Sequence, residues 1–432
     1  MLRGWVPVLA IAVCAQTAQA QSAPAAPAAQ DGAGAPAPTL SDAFGHARKN
    51  EIMPALAVLE QVVAANPSSR GTAAQYWAFS GDLATADALF APASPPPASP
   101  PSAAPTPAVP LPDLSQLRPE PAIEAIVRAA RGQRVVMINE AHHSPQHRAF
   151  IHKLVLALRA EGFTHLAAET FCNGCPELLE DGAPMVATGF YTLDPVFADL
   201  VRQAAAAGYG LVAYEWRSDQ MVPPGTSLDE TIAAREQAQA ENLKAALDAD
   251  PSMRVFVQVG FGHLNEASGS RTMFAARLKQ LTGIDPVTID QVDGTRLAGA
   301  QFDSPLYRAF VATFGEPAAS VVLDSDPQHP RGFYSVDLSV IHPPRREVAG
   351  RPDWLAMDGY RKPRAVALAP LGARSLVRAF VAGEPAGAIA MDQMLVPAGA
   401  QAVTLMLPAG DYRLVRQTEA GDDLPLGEAR VP

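Results

Sequence analysis

Between residues 134 and 291 the chain alternates short apolar runs with longer stretches of helical periodicity, and this alternation constrains the fold most strongly. The apolar runs are RVVMINE, HLAAET, GLVAYEW, RVFVQVG and DPVTIDQ, at residues 134–140, 165–170, 210–216, 254–260 and 285–291. Helical patterns lie at residues 146–160, near 193–207, at 228–248 and near 270–281. Strands that alternate with helices of this length predict βαβ units, with a mostly parallel sheet and helices on both of its faces.

Segments of different composition flank this α/β unit, which we place at residues 114–345. Residues 40–91 carry apolar positions at helical spacing and predict a helical hairpin, with a pattern that resembles tetratricopeptide helices. Residues 92–113 are rich in Pro, Ala and Ser and predict an extended linker. In residues 364–432, short strand-like runs separated by Gly and Pro turns predict a small antiparallel β-sandwich.

The N-terminus has the pattern of a secretory signal peptide. Arg3 precedes the apolar stretch Trp5–Val13, and Ala18-Gln19-Ala20 has the form that signal peptidase cleaves. We expect residues 1–20 to be removed and the mature protein to reach the periplasm or the extracellular space, with association with the cell envelope left open. Residues 21–39 are rich in Ala, Pro and Gln and are expected to be disordered. No other run is long and apolar enough to predict a transmembrane segment after cleavage.

Charge narrows the range of partners. The sequence has 44 acidic and 33 basic residues and a net charge of −11. Because phosphate binding needs a basic surface, this balance argues against nucleic acid as a partner. A small-molecule substrate or ligand is expected instead, and the helical segment or the sandwich offers a surface for a protein partner.

Signal cleavage would leave two cysteines, Cys172 and Cys175, in the stretch TFCNGCPE. An even pair in an exported protein predicts a disulfide, here across an Asn-Gly turn. The alternative is half of a metal site. Zinc prefers four ligands, however, and the sequence has no second cysteine pair.

Titratable side chains follow the ends of four predicted strands. These side chains are Glu140, His142, His143, Glu169, Glu215 and His263. The carboxyl ends of parallel strands lie on one edge of a sheet, where ligands bind in open α/β folds, so we expect these groups to converge. Carboxylates packed together alter each other's pKa or need a cation or an imidazolium among them. Histidine suits proton transfer near neutral pH, so the pattern predicts a site for acid–base chemistry.

The motifs NEAHHSPQHR, AAETF, YEW, AAREQAQAENL and VGFGHLNE, in this order, resemble those of erythromycin esterase-like proteins and ChaN-like haem-binding lipoproteins, with TIKI/TraB-type proteases as more distant relatives. The resemblance covers approximately residues 120–292. It implies a site made of Glu140, His142, His147, Glu169, Arg235, Glu236 and His263. Asn139 stands where the family usually has Gly. The spacing from Glu140 to His142 follows the ChaN-like pattern, whereas the esterase pattern would use His143.

The first predicted function is that of a hydrolase. His142 or His143 would act as general base on a water molecule, oriented by Glu140 or Glu169. His263 would stabilise the oxyanion or protonate the leaving group. Because no G-x-S-x-G motif is present, direct attack by water on an ester, lactone or amide is preferred to an acyl-enzyme. Zn or Mn held by Glu and His side chains would lower the need for a strong base, and a metal is left open.

The second predicted function is ligand binding without catalysis, with haem as the ligand that the ChaN-like resemblance implies. Candidate substrate- or ligand-binding residues are His147, Arg148, Glu215, Arg235 and Glu236. The remaining alternative is a structural cluster in which the carboxylates pair with Arg148 and Arg235.

Overall fold

A computed structural model describes residues 37–91, 111–267 and 271–432. The predicted signal peptide, nearly all of the predicted disordered stretch and linker residues 92–110 lie outside the described residues. Across the described ranges, none of the helices combines the length and the apolar character that a membrane span requires.

The helices are named in chain order over the described ranges. They are α1 (Leu40–Ala47), α2 (Ile52–Ala65), α3 (Arg70–Phe79), α4 (Leu83–Phe90), α5 (Ala122–Ala130), α6 (Pro145–Ala160), α7 (Pro195–Ala206), α8 (Leu228–Ala249), α9 (Phe274–Thr282) and α10 (Pro305–Phe314).

The strands are named in the same way. They are β1 (Glu120–Pro121), β2 (Val135–Glu140), β3 (His165–Ala168), β4 (Leu179–Glu180), β5 (Ala183–Pro184), β6 (Gly210–Ala213), β7 (Val255–Gly260), β8 (Val287–Asp290), β9 (Val321–Asp324), β10 (Leu338–Ile341), β11 (Glu347–Val348), β12 (Arg351–Pro352), β13 (Lys362–Ala367), β14 (Ser375–Val381), β15 (Asp392–Val396), β16 (Ala402–Leu407), β17 (Gly410–Gln417) and β18 (Asp423–Val431).

The central sheet has the strand order β1-β9-β10-β8-β2-β7-β3-β6. The strands from β10 to β6 in this order are parallel, whereas β9 pairs antiparallel with both β1 and β10. The five predicted strands are β2, β3, β6, β7 and β8, and the four predicted helices are α6 to α9. The prediction of an α/β fold with a mostly parallel sheet is therefore confirmed.

Alternate side chains of the central strands enter two apolar cores, one on each face of the sheet. Val136 and Ile138 of β2 pack in the core that contains α5, α6 and α7. Val135 and Met137 of the same strand pack in the core that contains α8 and α9. Because both faces are covered, the strand must be apolar throughout, which explains its continuous apolar run.

Residues 40–91 form four helices, not the predicted hairpin of two. The additional breaks follow α1 and α3, where Asn50 and Gly81 adopt left-handed conformations with φ of 61° and 81°. Asn and Gly are the residues that tolerate this conformation best. These helices pack on the α/β unit, for example through Phe44 and Phe190, whose ring centroids are 5.4 Å apart.

The C-terminal strands form two small antiparallel sheets, β13-β16 and β15-β14-β17-β18. Val377 of β14 and Leu405 of β16 are fully buried in the same apolar cluster. The two sheets therefore share one core, as expected for the C-terminal segment.

Cys172 and Cys175 form a disulfide, with their Cα atoms 5.5 Å apart. The backbone N–H of Cys172 donates to the carbonyl oxygen of Thr188 at 3.0 Å. The predicted disulfide is thus present, and it lies in the loop that follows β3 at the carboxyl edge of the sheet.

Candidate functional site

The first part of the site follows β2. Glu140 is fully buried, and its carboxylate accepts hydrogen bonds from Nε and Nη2 of Arg148 at 2.8 and 2.5 Å. Nδ1 of His142 lies 3.1 Å from Oε1 of the same carboxylate. Arg148 also donates from Nη1 to Oδ2 of Asp194 at 2.6 Å. Arg148 therefore lies between two buried carboxylates and fixes the one that His142 contacts.

The charge state of Glu140 follows from these contacts. Burial raises the pKa of Glu140, but the charge of Arg148 and the hydrogen bonds from Arg148 and His142 outweigh it and hold this pKa below its usual range. For Asp194 the balance is reversed, since burial raises its pKa above the usual value despite Arg148. An ionised Glu140 favours a proton on Nδ1 of His142, which leaves the lone pair of the neutral ring on Nε2.

Glu169 follows β3 and lies between two imidazoles. Its Oε1 is 4.0 Å from Nε2 of His142 and 3.6 Å from Nε2 of His263. The carboxylate also accepts hydrogen bonds from Nη2 of Arg235 at 2.7 Å and from the backbone N–H of Gly260 at 2.6 Å. Burial opposes ionisation, yet His263, Arg235 and His142 together hold the pKa of Glu169 well below its usual range. Glu169 is therefore a buried carboxylate at neutral pH.

His263 contacts a second carboxylate. Its Nδ1 lies 2.6 Å from Oε1 of Glu236, whose other oxygen accepts a hydrogen bond from the N-terminus of α9 at 2.7 Å. Arg235, next to Glu236 on α8, donates from Nε to Glu215 at 3.0 Å and places Nη1 3.2 Å from Nε2 of His263. The site therefore contains two Glu–His pairs, and both imidazoles approach Oε1 of Glu169.

Two predicted histidines lie outside this group. His143 stacks on Phe90 of α4, with ring centroids 3.7 Å apart, and burial lowers its pKa to about 3. His147 accepts a hydrogen bond at Nδ1 from the backbone N–H of Ala141 at 3.0 Å and places Nε2 2.9 Å from the hydroxyl of Thr295. The structure thus brings together all the other predicted site residues. Of the two histidines that the sequence left as alternatives, His142 is the one that lies beside Glu140 and Glu169.

Three residues of the site were not predicted from the sequence. Tyr191 stacks on His142 with ring centroids 4.0 Å apart, and Phe261 approaches the same ring edge-on at 5.2 Å. Asp194 holds Arg148, as described above. Tyr191 and Asp194 precede α7 in a stretch without a chemical motif, whereas Phe261 lies inside GFGH and could have been found there.

No protein-family model and no curated protein matches this chain. Three of the solved structures that resemble it are the type III effector HopBA1, the MARTX toxin effector domain RRSP from Vibrio vulnificus CMCP6, and a structure described as that of bacterial protein toxins. Their sequence identities are 14, 17 and 15%, and their TM-scores are 0.32, 0.33 and 0.31. The likeness covers 53, 43 and 40% of this chain and 97, 39 and 37% of those chains. At these TM-scores it supports no statement about activity.

The arrangement of the His, Cys, Asp and Glu side chains bears on whether a metal ion or haem fits the site. Within the described ranges, no group of three or more His, Cys, Asp or Glu side chains is arranged to hold a metal ion. His147 uses both ring nitrogens in contacts within the protein, and His142 lies between the rings of Tyr191 and Phe261. His147 therefore has no ring nitrogen left to serve as an axial ligand to haem iron.

Gly260 lies where a side chain would collide with both His142 and Glu169. A Cβ at this position would be 2.5 Å from Nε2 of His142 and 2.7 Å from Oε2 of Glu169. Because both side chains are buried, we expect Gly260→Ala to cost about 1–3 kcal/mol of stability, as overpacking does, and to displace the two groups. Urea unfolding and kcat/KM would measure these effects. Gly262→Ala is the matched control, since its Cβ would meet only the ring edge of Tyr334 at 3.1 Å. Equal tolerance of the two substitutions would contradict the packing described around His142.

Proposed function

We propose that the protein is a hydrolase in which His142 activates a water molecule for direct attack on the carbonyl carbon of an ester, lactone or amide. The observation that carries the proposal is the convergence of two buried Glu–His pairs on the carboxylate of Glu169. One pair can supply a general base and the other a general acid within the same site. The motif order resembles that of erythromycin esterase-like proteins, but the spacing from Glu140 to His142 follows the ChaN-like pattern, so the proposal rests on the geometry and not on the resemblance.

Nε2 of His142 is the proposed base. The ionised carboxylate of Glu140 accepts the Nδ1 proton, holds the ring in one tautomer and stabilises the imidazolium that forms when Nε2 takes a proton from water. Stacking on Tyr191 fixes the plane of the ring. A water molecule beside Nε2 can donate a hydrogen bond through its second hydrogen, which it keeps, to Glu169, whose Oε1 is 4.0 Å from Nε2. These two contacts would aim the water oxygen at the carbonyl carbon.

Nε2 of His263 is the proposed acid. Glu236 and Glu169 both place carboxylate oxygens close to this ring, and their negative charge acts in favour of a proton on it, against the guanidinium of Arg235, whose Nη1 lies 3.2 Å from Nε2. In the acid role, Nη1 of Arg235 must turn from Nε2 toward the substrate. As the bond between the acyl carbon and the leaving oxygen or nitrogen breaks, the Nε2 proton passes to the leaving group. Arg235 supplies the positive charge that stabilises the carbonyl oxygen while it is negative. The products are a carboxylic acid and an alcohol or amine, and the proton from water stays on His142 until the site is reset.

Export remains part of the proposal. Disulfides persist in oxidising compartments outside the cytoplasm, so the Cys172–Cys175 bond agrees with a periplasmic or extracellular location.

A substrate screen tests the proposed activity. Ester, lactone, amide and phosphoester substrates would be offered to the wild-type protein and to His263→Ala, with and without Zn or Mn. His329→Ala is the control, since the His329 side chain is 81% exposed and lies in a different loop. We expect one carboxylic substrate class to be turned over by the wild type and by His329→Ala but not by His263→Ala. If the wild-type protein turned over every substrate class no faster than His263→Ala, the hydrolase proposal would be rejected. A Soret band that titrates to one equivalent of haem would favour the binding alternative.

A further inference from the structure

The reacting groups of the proposed site are covered by protein. The exposed fractions of His142, Glu169 and His263 are 1, 4 and 7%. A substrate of the size of an ester or amide must therefore displace part of the protein before its carbonyl carbon can approach Nε2 of His142.

A row of aromatic rings covers one side of His142. Phe261 approaches the imidazole edge-on at 5.2 Å, and Phe90 lies nearly parallel to Phe261, with centroids 6.3 Å apart and planes at 15°. Phe90 also stacks on His143. Phe90 is the last residue of α4, so the N-terminal helices contribute a ring to the cover of a site that otherwise belongs to the α/β unit.

The backbone of Phe261 is strained. Its φ is +38°, a left-handed conformation that bulky residues rarely adopt. Residues persist in such conformations only where their surroundings hold them, and such strain concentrates at sites that switch or bind. The backbone of Phe261 is held by a hydrogen bond from its N–H to the carbonyl oxygen of Glu140 at 2.8 Å and by one from Nδ2 of Asn139 to its own carbonyl oxygen at 2.9 Å. Its ring has Phe90 as an aromatic neighbour. Since both hydrogen bonds hold the backbone, loss of the Phe90 ring would leave the side chain that stands against His142 freer to turn.

Helix α4 is attached more firmly to α3 than to the α/β unit. Arg70, the first residue of α3, donates to the carbonyl oxygens of Ala88 and Leu89 at 2.6 and 3.2 Å and so holds the end of α4. On the other side, a single salt bridge of 2.9 Å joins Asp87 to Arg345 beside a cavity of about 160 Å³. Within α4 only Ala86 is fully buried. Leu83 and Leu89 also pack against the apolar core in which Ala86 lies, whereas Phe90 is not part of that core. The part of α4 that can leave the site with little loss of apolar contact is therefore its C-terminal end.

We propose that the C-terminal end of α4 is a displaceable cover of the candidate site and that Phe90 is the ring that a substrate must displace. The inference rests on the proposed function, because a cover that controls access matters only if a substrate reacts beneath it. The movement itself does not depend on activity, so it can be tested even if no substrate is found.

Chemical labelling of the histidines tests the cover. The full-length protein and its Phe90→Ala variant would be treated with diethyl pyrocarbonate, and modification of each histidine would be followed by mass spectrometry. Since labelling of a protected group follows the population of the open form, we expect the rate at His142 to rise at least about tenfold in Phe90→Ala. Leu89→Ala is the matched control, because Leu89 is adjacent on α4 but lines the groove toward the strand β15. It should leave the rate at His142 unchanged.

His143 and His147 report on the alternatives. Faster labelling of His143 without a change at His142, or no change at either residue, would overturn the proposal. Labelling of His147, which is buried and bonded through both nitrogens, would reveal unfolding. In that case Phe90→Leu, which keeps an apolar side chain on α4, replaces Phe90→Ala. The labelling rates at His142 and His143 are then compared in the same way.

Discussion

Replacement of Arg148 by Met is expected to destabilise the protein by about 3–5 kcal/mol, the cost typical of removing one partner of a buried ion pair. Arg148 is fully buried and donates to the carboxylates of Glu140 and Asp194. Its guanidinium also lies over the ring of Phe197 at 5.3 Å. Met fills similar space but leaves two buried carboxylates without their cation, so at least one of them must take up a proton in the folded state.

Urea unfolding at neutral pH measures this effect. Lys153→Met is the matched control on the same helix, since Lys153 pairs with Asp358 at the surface, where the two side chains are 38 and 79% exposed. A surface pair of this kind contributes about 0–1 kcal/mol. If Arg148→Met cost no more than Lys153→Met, the buried network that fixes Glu140 beside His142 would not exist as described.

Removal of either imidazole of the site is expected to lower kcat/KM by about 10²–10⁴, the range of general acid–base catalysis. His142→Ala removes the proposed base and His263→Ala the proposed acid, both of which approach Oε1 of Glu169. The double variant should lose little more than the worse of the two single variants, because groups that act as one unit are strongly non-additive.

The free energy of unfolding must be measured for the same single and double variants. Multiplicative losses in the double variant would indicate that the two imidazoles act separately. A loss of several kcal/mol of stability in the single variants, with no kinetic phenotype, would indicate that the cluster is structural, the alternative that the sequence also allowed.

The sequence predicted the elements that have a strong periodic signal. The run VVMINE is apolar on both faces because both faces of β2 are covered, and residues 146–160 show a helical repeat because α6 buries one side. Strands β9 and β10 were missed because they lie among Pro-rich and polar stretches. The position of the candidate site, at the carboxyl edge of the sheet, was predicted from the parallel topology alone.

The details of the site depend on directions that a sequence does not give. Between Glu140 and Pro145 the chain changes from an extended to a helical path, so the periodicity could not decide whether His142 or His143 faces Glu169. The sequence predicted that the carboxylates need a cation or an imidazolium among them, with Arg148 and Arg235 as candidate partners. The structure pairs Glu140 with Arg148, Glu169 with Arg235 and Glu236 with an imidazole. Phe90 lies beside the site because α4 packs there, and no local signal announces such a tertiary contact.

A comparison of His142→Ala with His143→Ala on one hydrolysed substrate tests the central claim most directly. The two residues are neighbours in the chain, but His142 contacts Glu140 whereas His143 stacks on Phe90. The account predicts that kcat/KM falls by about 10²–10⁴ in His142→Ala, while His143→Ala keeps the wild-type value or exceeds it because the Phe90 ring loses its stacking partner. A larger loss in His143→Ala than in His142→Ala would contradict the account, since the base would then lie outside the two Glu–His pairs.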